Sequence, residues 1–259
     1  MSTFLWVIFP YIALAVFVVG HIWRYKYDKF GWTTRSSQLY ESRMLRIASP
    51  LFHFGVLFAV LGHVMGLVFP KSWTDAIGIS QHNYHLVAVI GGLVSGAMII
   101  VGFTILVFRR RTTKAVFNAT TRNDKAMYLL LGIAIATGMW NTISTTLSDE
   151  YNYREGVSVW FRSIFALSPD PGMISSAPIQ FQLHALTAFL LVLVWPFTRL
   201  VHVFSAPIGY LNRPYIVYRS AGHASGAGPK RMQTPQGTWN KPGWDGSRPG
   251  TRKKEKTRG

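Results

Sequence analysis

Cysteine is absent from all 259 residues. That excludes disulfides, thiolate zinc sites, cysteine-ligated iron–sulfur clusters and the C-x-x-C-H attachment of c-type haem. Any redox cofactor must be held by other side chains, and histidine is the obvious ligand. Acidic residues are scarce too: 10 Asp and Glu stand against 27 Lys and Arg, for a formal net charge of +17. None of these acids falls within the long apolar runs. This argues against a carboxylate proton relay, and so against a proton pump or an ion-coupled transporter. The first run follows Met1 with neither a charged leader nor a small-residue cleavage site, so it reads as a retained helix.

What the sequence has in abundance is apolar residues, gathered in runs long enough to cross a hydrocarbon layer of roughly 30 Å. Inside lipid, helices satisfy their own backbone groups, so each run reads as a transmembrane helix. Five qualify: Phe4 to Trp23, Ile47 to Phe69, Leu86 to Phe108, Ala126 to Leu147 and Ile179 to Phe204. The expected fold is all-α, an antiparallel bundle of five membrane helices over residues 1–223. A basic Gly/Pro-rich tail over 224–259 cannot bury a core and reads as disordered. It is either simply solvated or a contact for anionic lipid or a partner.

Charge orients the bundle. The connection after the first span carries Arg24, Lys26, Lys29, Arg35, Arg43 and Arg46, and that after the third carries Arg109, Arg110, Arg111, Lys114, Arg122 and Lys125. The connection after the second has only Lys71, and that after the fourth only Arg154 and Arg162. Short basic loops stay cytoplasmic, which places the N-terminus outside and the C-terminus inside. Basic residues that alternate by loop form no single patch, so nucleic-acid binding is disfavoured. The stretch Val157 to Leu167, with Trp160, Phe161, Ile164 and Phe165, reads either as a short interfacial helix or as an ordinary loop.

Four of the eight histidines lie within spans: His53 and His63 on the second, His184 and His202 on the fifth. Ionisable groups in a membrane are costly, which makes them functional candidates. A lone one often just bonds a neighbouring helix; two pairs are harder to dismiss. Because the two spans run in opposite directions, matching depths pairs His53 with His202 on the inner side and His63 with His184 on the outer side. Each pair can supply both axial ligands of a b-type haem. On one continuous helix, the 18-residue gap from His184 to His202 is five whole turns and about 27 Å, whereas the 10-residue gap from His53 to His63 is only about 15 Å and leaves the rings some 80° apart. Gly55, Gly62 and Gly66 beside the ligands would let a flat macrocycle approach, or would serve helix–helix contact. Arg199, one turn before His202, suits a haem propionate or a snorkelling interfacial role. His82 and His85 lie near the outer pair, where oxidation of a quinol needs a proton acceptor.

Several blocks resemble the gamma subunit of respiratory nitrate reductase over roughly residues 7 to 223. They are Phe9-Pro10-Tyr11-Ile12-Ala13, Arg24-Tyr25, Ala48-Ser49-Pro50-Leu51-Phe52-His53-Phe54-Gly55, Gly62-His63-Val64-Met65-Gly66, Gln182-Leu183-His184, Pro196-Phe197-Thr198-Arg199-Leu200-Val201-His202 and Tyr210-Leu211-Asn212-Arg213-Pro214-Tyr215. The resemblance implies two b-type haems with the same histidine pairing, quinol (menaquinol) as electron donor, and a bacterial or archaeal cell membrane as the site. It implies an iron–sulfur beta subunit and a molybdenum-bearing alpha subunit on the cytoplasmic side. Family members use a lysine at the quinol pocket; here Asn83 stands in its place, and His85, two residues on, is the expected quinol contact. The rival readings are a related cytochrome b of a heterodisulfide or sulfite reductase system, and a haem-free membrane anchor.

Overall fold

A computed structural model describes residues 2–28, 37–147 and 151–205. The tail 224–259, the block Tyr210 to Tyr215 and His223 lie outside the described residues.

Every regular element among the described residues is helical. Five helices are long and apolar enough to span a membrane: Phe4–Tyr27, Arg43–Val68, Gln81–Thr112, Arg122–Leu147 and Ile179–Phe197. This is a multi-pass membrane protein. In chain order the α-helices are α1 (Phe9–Tyr27), α2 (Arg43–His63), α3 (Lys71–Ala76), α4 (Gln81–Thr112), α5 (Lys114–Asn118), α6 (Arg122–Leu147), α7 (Val157–Phe165), α8 (Pro171–Ser175) and α9 (Ile179–Val194). A π-helical turn, Phe4–Ile8, leads into α1, and another, Val64–Val68, continues α2. The long helices pack in sequence: α2 on α4, α4 on α6, α6 on α9, and α9 on α1. That order leaves α2 and α9 facing each other without close backbone packing.

Local chemistry sets the helix ends. α4 starts where the Ser80 hydroxyl accepts from the Asn83 N–H at 3.2 Å, an N-cap that satisfies one donor left over by the first turn. α6 starts at Arg122, four residues before the apolar run, because Thr121 and Asp124 bond each other's backbone N–H reciprocally, as in a capping box.

The fifth span differs from expectation. The α-helix stops at Val194, a 3-10 turn covers Trp195–Phe197, and Thr198 is extended at φ −111° and ψ 179°. A second 3-10 segment, Arg199–Ser205, then carries His202. Pro196 is the reason, since it lacks an N–H and its ring collides with the carbonyl four residues earlier. His184 and His202 therefore do not share one straight helix face.

At the end bearing the weakly charged connections, α7 does form, but it packs inward. Trp160 and Ile164 are each 1% exposed and join Trp6, Phe181 and Phe189 in a core. The Trp160 indole donates to the Trp6 carbonyl at 2.9 Å. Ser158 and Arg162 donate to the carbonyls of Gly66 and Leu67 in the π-turn, at 2.7 and 3.0 Å. Carbonyls that the π-turn takes out of the α-helical register thus find side-chain partners.

At the basic end, Arg109 is 1% exposed. It donates to Glu41 Oε2 at 2.5 Å, to the Glu41 carbonyl at 2.5 Å, and to the Ser37 hydroxyl and carbonyl at 2.9 Å each. It ties the end of α4 to the segment leading into α2. Desolvation raises the Glu41 carboxyl, but hydrogen bonds from the Met44 N–H and Arg109 outweigh it and hold the group below its ordinary value. A carboxyl lowered by folding stabilises the fold above its unfolded pKa, and that stability fades as pH falls through its folded pKa. Arg109→Ala should lower the thermal midpoint of the detergent-solubilised chain by several degrees, whereas Arg111→Ala, at an exposed neighbour, should leave it nearly unchanged. The difference should shrink below the carboxylate range.

Candidate functional site

The four membrane histidines lie on α2 (His53 and His63), on α9 (His184) and on the 3-10 segment that follows it (His202). Their ring centroids lie 6.0 Å apart for His53 and His202, and 5.9 Å apart for His63 and His184. These are the pairs that antiparallel depth matching predicts. The break after Val194 is what makes both meet. From His184 to Val194 the helix rises about 15 Å, the same as from His53 to His63. A continuous helix would carry His202 roughly two turns beyond His53. The turn at Pro196 takes the chain off the helix axis, so the depth mismatch and the 80° azimuthal mismatch both disappear.

Each ring is oriented by its own Nδ1. His53 Nδ1 lies 2.7 Å from the Ser49 carbonyl, His63 Nδ1 2.6 Å from the Ala59 carbonyl, and His202 Nδ1 2.6 Å from the Arg199 carbonyl. A carbonyl can only accept, so Nδ1 carries the proton in all three and Nε2 keeps its lone pair. His184 Nδ1 is 3.1 Å from the Thr137 hydroxyl, which itself donates to the carbonyls of Ile133 and Ala134. With its proton so engaged, the hydroxyl accepts from His184, and the same tautomer follows. A metal-binding imidazole is normally held this way, through an N–H bonded to a carbonyl or another acceptor.

The donor set fits a haem iron. An iron between two imidazoles holds their ring centres roughly 6 Å apart, because each metal–nitrogen bond is about 2.0–2.1 Å long and each ring adds its radius. Both pairs have that separation. Gly138 on α6 lies directly behind His184: a Cβ there would come within 2.9 Å of His184 Cε1.

The three glycines expected to pack a haem divide. A Cβ on Gly55 would strike Met98 and Ile99 of α4 at 2.9 Å, and one on Gly66 would meet Tyr153 at 3.1 Å. Both positions are taken up by protein contacts, Gly55 by helix packing on α4 and Gly66 by the turn that precedes α7. Gly62 has nothing within 4 Å of such a Cβ. Arg199 is held by Asp124 in a bidentate pair, Nε to Oδ1 at 2.5 Å and Nη2 to Oδ2 at 2.7 Å. Its guanidinium is thus directed at the first turn of α6. The sequence hides this partner, 75 residues away.

Next to Gly66, three residues past His63, lies a cavity of roughly 200 Å³, lined by Gln81, Tyr84, His85, Thr145, Tyr151, Asn152 and Tyr153. His85 lines it. Asn83 does not: Gln81, Tyr84 and His85 recur at helical spacing on one face of α4, and Asn83 falls on another. Tyr84 and Tyr153 bring their hydroxyls together over Gly66, three residues past His63. Burial holds the Tyr153 phenol well above its ordinary pKa, so it stays protonated. Arg154 backs this wall. It is 2% exposed, its guanidinium lies 3.8 Å from the Tyr84 ring centre, and it donates to Thr74 Oγ1 at 3.0 Å. The sequence does not single out these aromatic and cationic residues; the one sign of them is the cluster Tyr151-Asn152-Tyr153-Arg154 ahead of the aromatic stretch at Val157.

Comparison with known proteins matches this arrangement to a group. A family model described as nitrate reductase gamma subunit covers residues 2–221. The chain is 55% identical over 222 residues to the nitrate reductase-like protein NarX of Mycobacterium tuberculosis, across 85% of this chain and 34% of that one. It is 42% identical over 215 residues to the nitrate reductase gamma chain of Bacillus subtilis, across 83% of this chain and 96% of that one. It is 31% identical over 226 residues to the respiratory nitrate reductase 2 gamma chain of Escherichia coli, across 85% and 97% of the two chains. The chain spans about a third of the length of NarX and nearly all of each gamma chain. It belongs to the nitrate reductase gamma subunit family.

Proposed function

We propose that this chain is a dihaem cytochrome b subunit that takes electrons from quinol and delivers them to a nitrate-reducing partner. The observation that carries the reading is the pair of facing histidine couples, each at about 6 Å with Nδ1 committed to an acceptor and Nε2 left as the lone-pair nitrogen. His63 and His184 would hold an outer b haem, and His53 and His202 an inner one. Gly62 provides an unobstructed backbone face beside His63. Haems bound at these sites supply one-electron transfer between the two leaflets.

The chain's own residues do the rest. Quinol, menaquinol in this reading, binds in the cavity beside the outer pair. There His85 accepts a proton from the quinol hydroxyl, and Tyr84 and Tyr153 orient the ring by hydrogen bonding. Both protons leave on the outer side, since the spans offer no acidic relay inward. Moving each electron inward against a potential that is negative inside costs about 2.3 kcal/mol per 100 mV. The drop in potential from quinol to acceptor must cover that. At the inner face, the basic connections meet an iron–sulfur beta subunit, which feeds a molybdenum-bearing alpha subunit where nitrate is reduced. The loop charges support this orientation in a bacterial or archaeal cell membrane, with the C-terminus cytoplasmic.

A pyridine haemochrome assay with a dithionite-reduced spectrum on the purified chain tests the reading: two b-type haems per chain are expected, and absence of haem overturns it. His85→Ala should slow quinol oxidation by roughly 10²-fold or more, the usual contribution of a general base, with haem content unchanged. Asn83→Ala should change it little. Equal losses in both variants would remove His85 from the proton-accepting role.

A further inference from the structure

At the break in the fifth span three consecutive carbonyls each have a side-chain donor from another span. Arg24 of α1 donates through Nη1 to the carbonyls of Pro196 and Thr198, at 2.6 and 3.0 Å. Asn123 of α6 donates through Nδ2 to the Phe197 carbonyl at 2.5 Å. Gly20 lets α1 close on the break, because a Cβ there would sit 2.8 Å from the Pro196 ring. Phe17 and Trp195 flank the contact as edge-to-face rings at 6.1 Å. Thr198 is 4% exposed, and Val201, next to His202, is fully buried. Backbone carbonyls freed at membrane depth need such partners, since lipid provides none.

We infer that Arg24 and Asn123 are positioning residues for His202: they clamp the broken backbone at Pro196–Thr198 and so set where the inner ligand ring meets His53. The inference rests on the haem reading above. It reaches further because neither side chain touches the ligand or follows from the ligand spacing. Without the clamp the break loses three side-chain bonds that Arg199 on Asp124 does not replace, the angle at which the chain leaves α9 loosens, and His202 loses its fixed distance from His53. His184 lies ten residues before the break, on intact α-helix with its own partner, Thr137. The outer pair therefore serves as an internal control. A general packing defect affects both haems; loss of the clamp affects only the inner one.

The test uses the full chain in membranes, comparing Arg24→Ala, Arg24→Lys and Asn123→Ala with wild type by haem content, redox titration and electron paramagnetic resonance. His202→Ala and His184→Ala identify which signal belongs to which haem. The expected result is that Arg24→Ala and Asn123→Ala lose the inner haem or shift its potential and resonance, while the outer signal stays at wild-type values. Arg24→Lys, which keeps the charge but not the fork, should fall in between. Unchanged signals from both haems in Arg24→Ala and Asn123→Ala would overturn the inference. So would equal loss of both haems in Asn123→Ala, the milder variant, even where Arg24→Ala fails to assemble. A wild-type chain without haem would instead overturn the reading beneath it.

Discussion

His202→Ala is expected to remove half of the b haem from the chain, and His184→Ala the other half, each leaving a distinct reduced spectrum from the survivor. In the proposed sites the imidazole nitrogens are the iron ligands, and methyl side chains supply no donor in their place. The other three rings keep their own Nδ1 acceptors, so each deletion is local. His53→Ala should reproduce the His202→Ala spectrum, and His63→Ala that of His184→Ala. This pairing is the sharpest point, because a chain that ligated within one helix would group the variants differently. Electron transfer from quinol to an inner-face acceptor should fall to background in all four, since the proposed route passes through both haems in turn. Haemochrome content and reduced-minus-oxidised spectra measure the first result; quinol-dependent reduction of an acceptor measures the second. A grouping of His53 with His63 would refute the cross-helix pairs.

The second large effect is expected at Gly102. A Cβ there would lie 2.7 Å from the Phe52 backbone nitrogen and 2.9 Å from its Cα. Backbone atoms cannot rotate away as a flexible side-chain tip can, so α2 and α4 must separate. Overpacking of this kind typically costs about 1–3 kcal/mol, and Gly102→Val should reach or exceed the upper end. Phe52 directly precedes His53, so the displacement falls on the ring that faces His202. Gly102→Val should therefore lower the thermal midpoint and perturb the inner haem, while Gly91→Ala should do neither. Gly91 lies on the same helix with nothing within 4 Å of a new Cβ, and alanine in a helix interior gains roughly 0.5–1 kcal/mol over glycine. If the inner haem of Gly102→Val is indistinguishable from wild type, the α2–α4 contact does not set the His53 position.

The five spans were legible in the sequence because lipid imposes a length and an apolar composition that few other structures share. The histidine pairs were legible too, since antiparallel helices order depth by residue number. Azimuth and exact depth were not. On paper, His53 and His63 pointed 80° apart while His184 and His202 pointed the same way. Only the tertiary structure showed that Pro196 ends α9 and that the chain then turns toward α2. Pro196 was visible, but a proline in a membrane span can kink, break or be absorbed, and neighbouring side chains decide which. Here Arg24 and Asn123 hold the released carbonyls, and both lie on helices whose contact with the fifth span the sequence does not encode locally. The same holds for Arg199, whose partner Asp124 lies at the start of α6. It holds again for the cavity lined by His85, whose wall joins Gln81, Tyr84 and His85 to residues some 70 positions later. Hydrophobic length and charge asymmetry, which act residue by residue, came from the sequence alone. Hydrogen-bond partners at the breaks, which depend on which helices become neighbours, were decided by the packing.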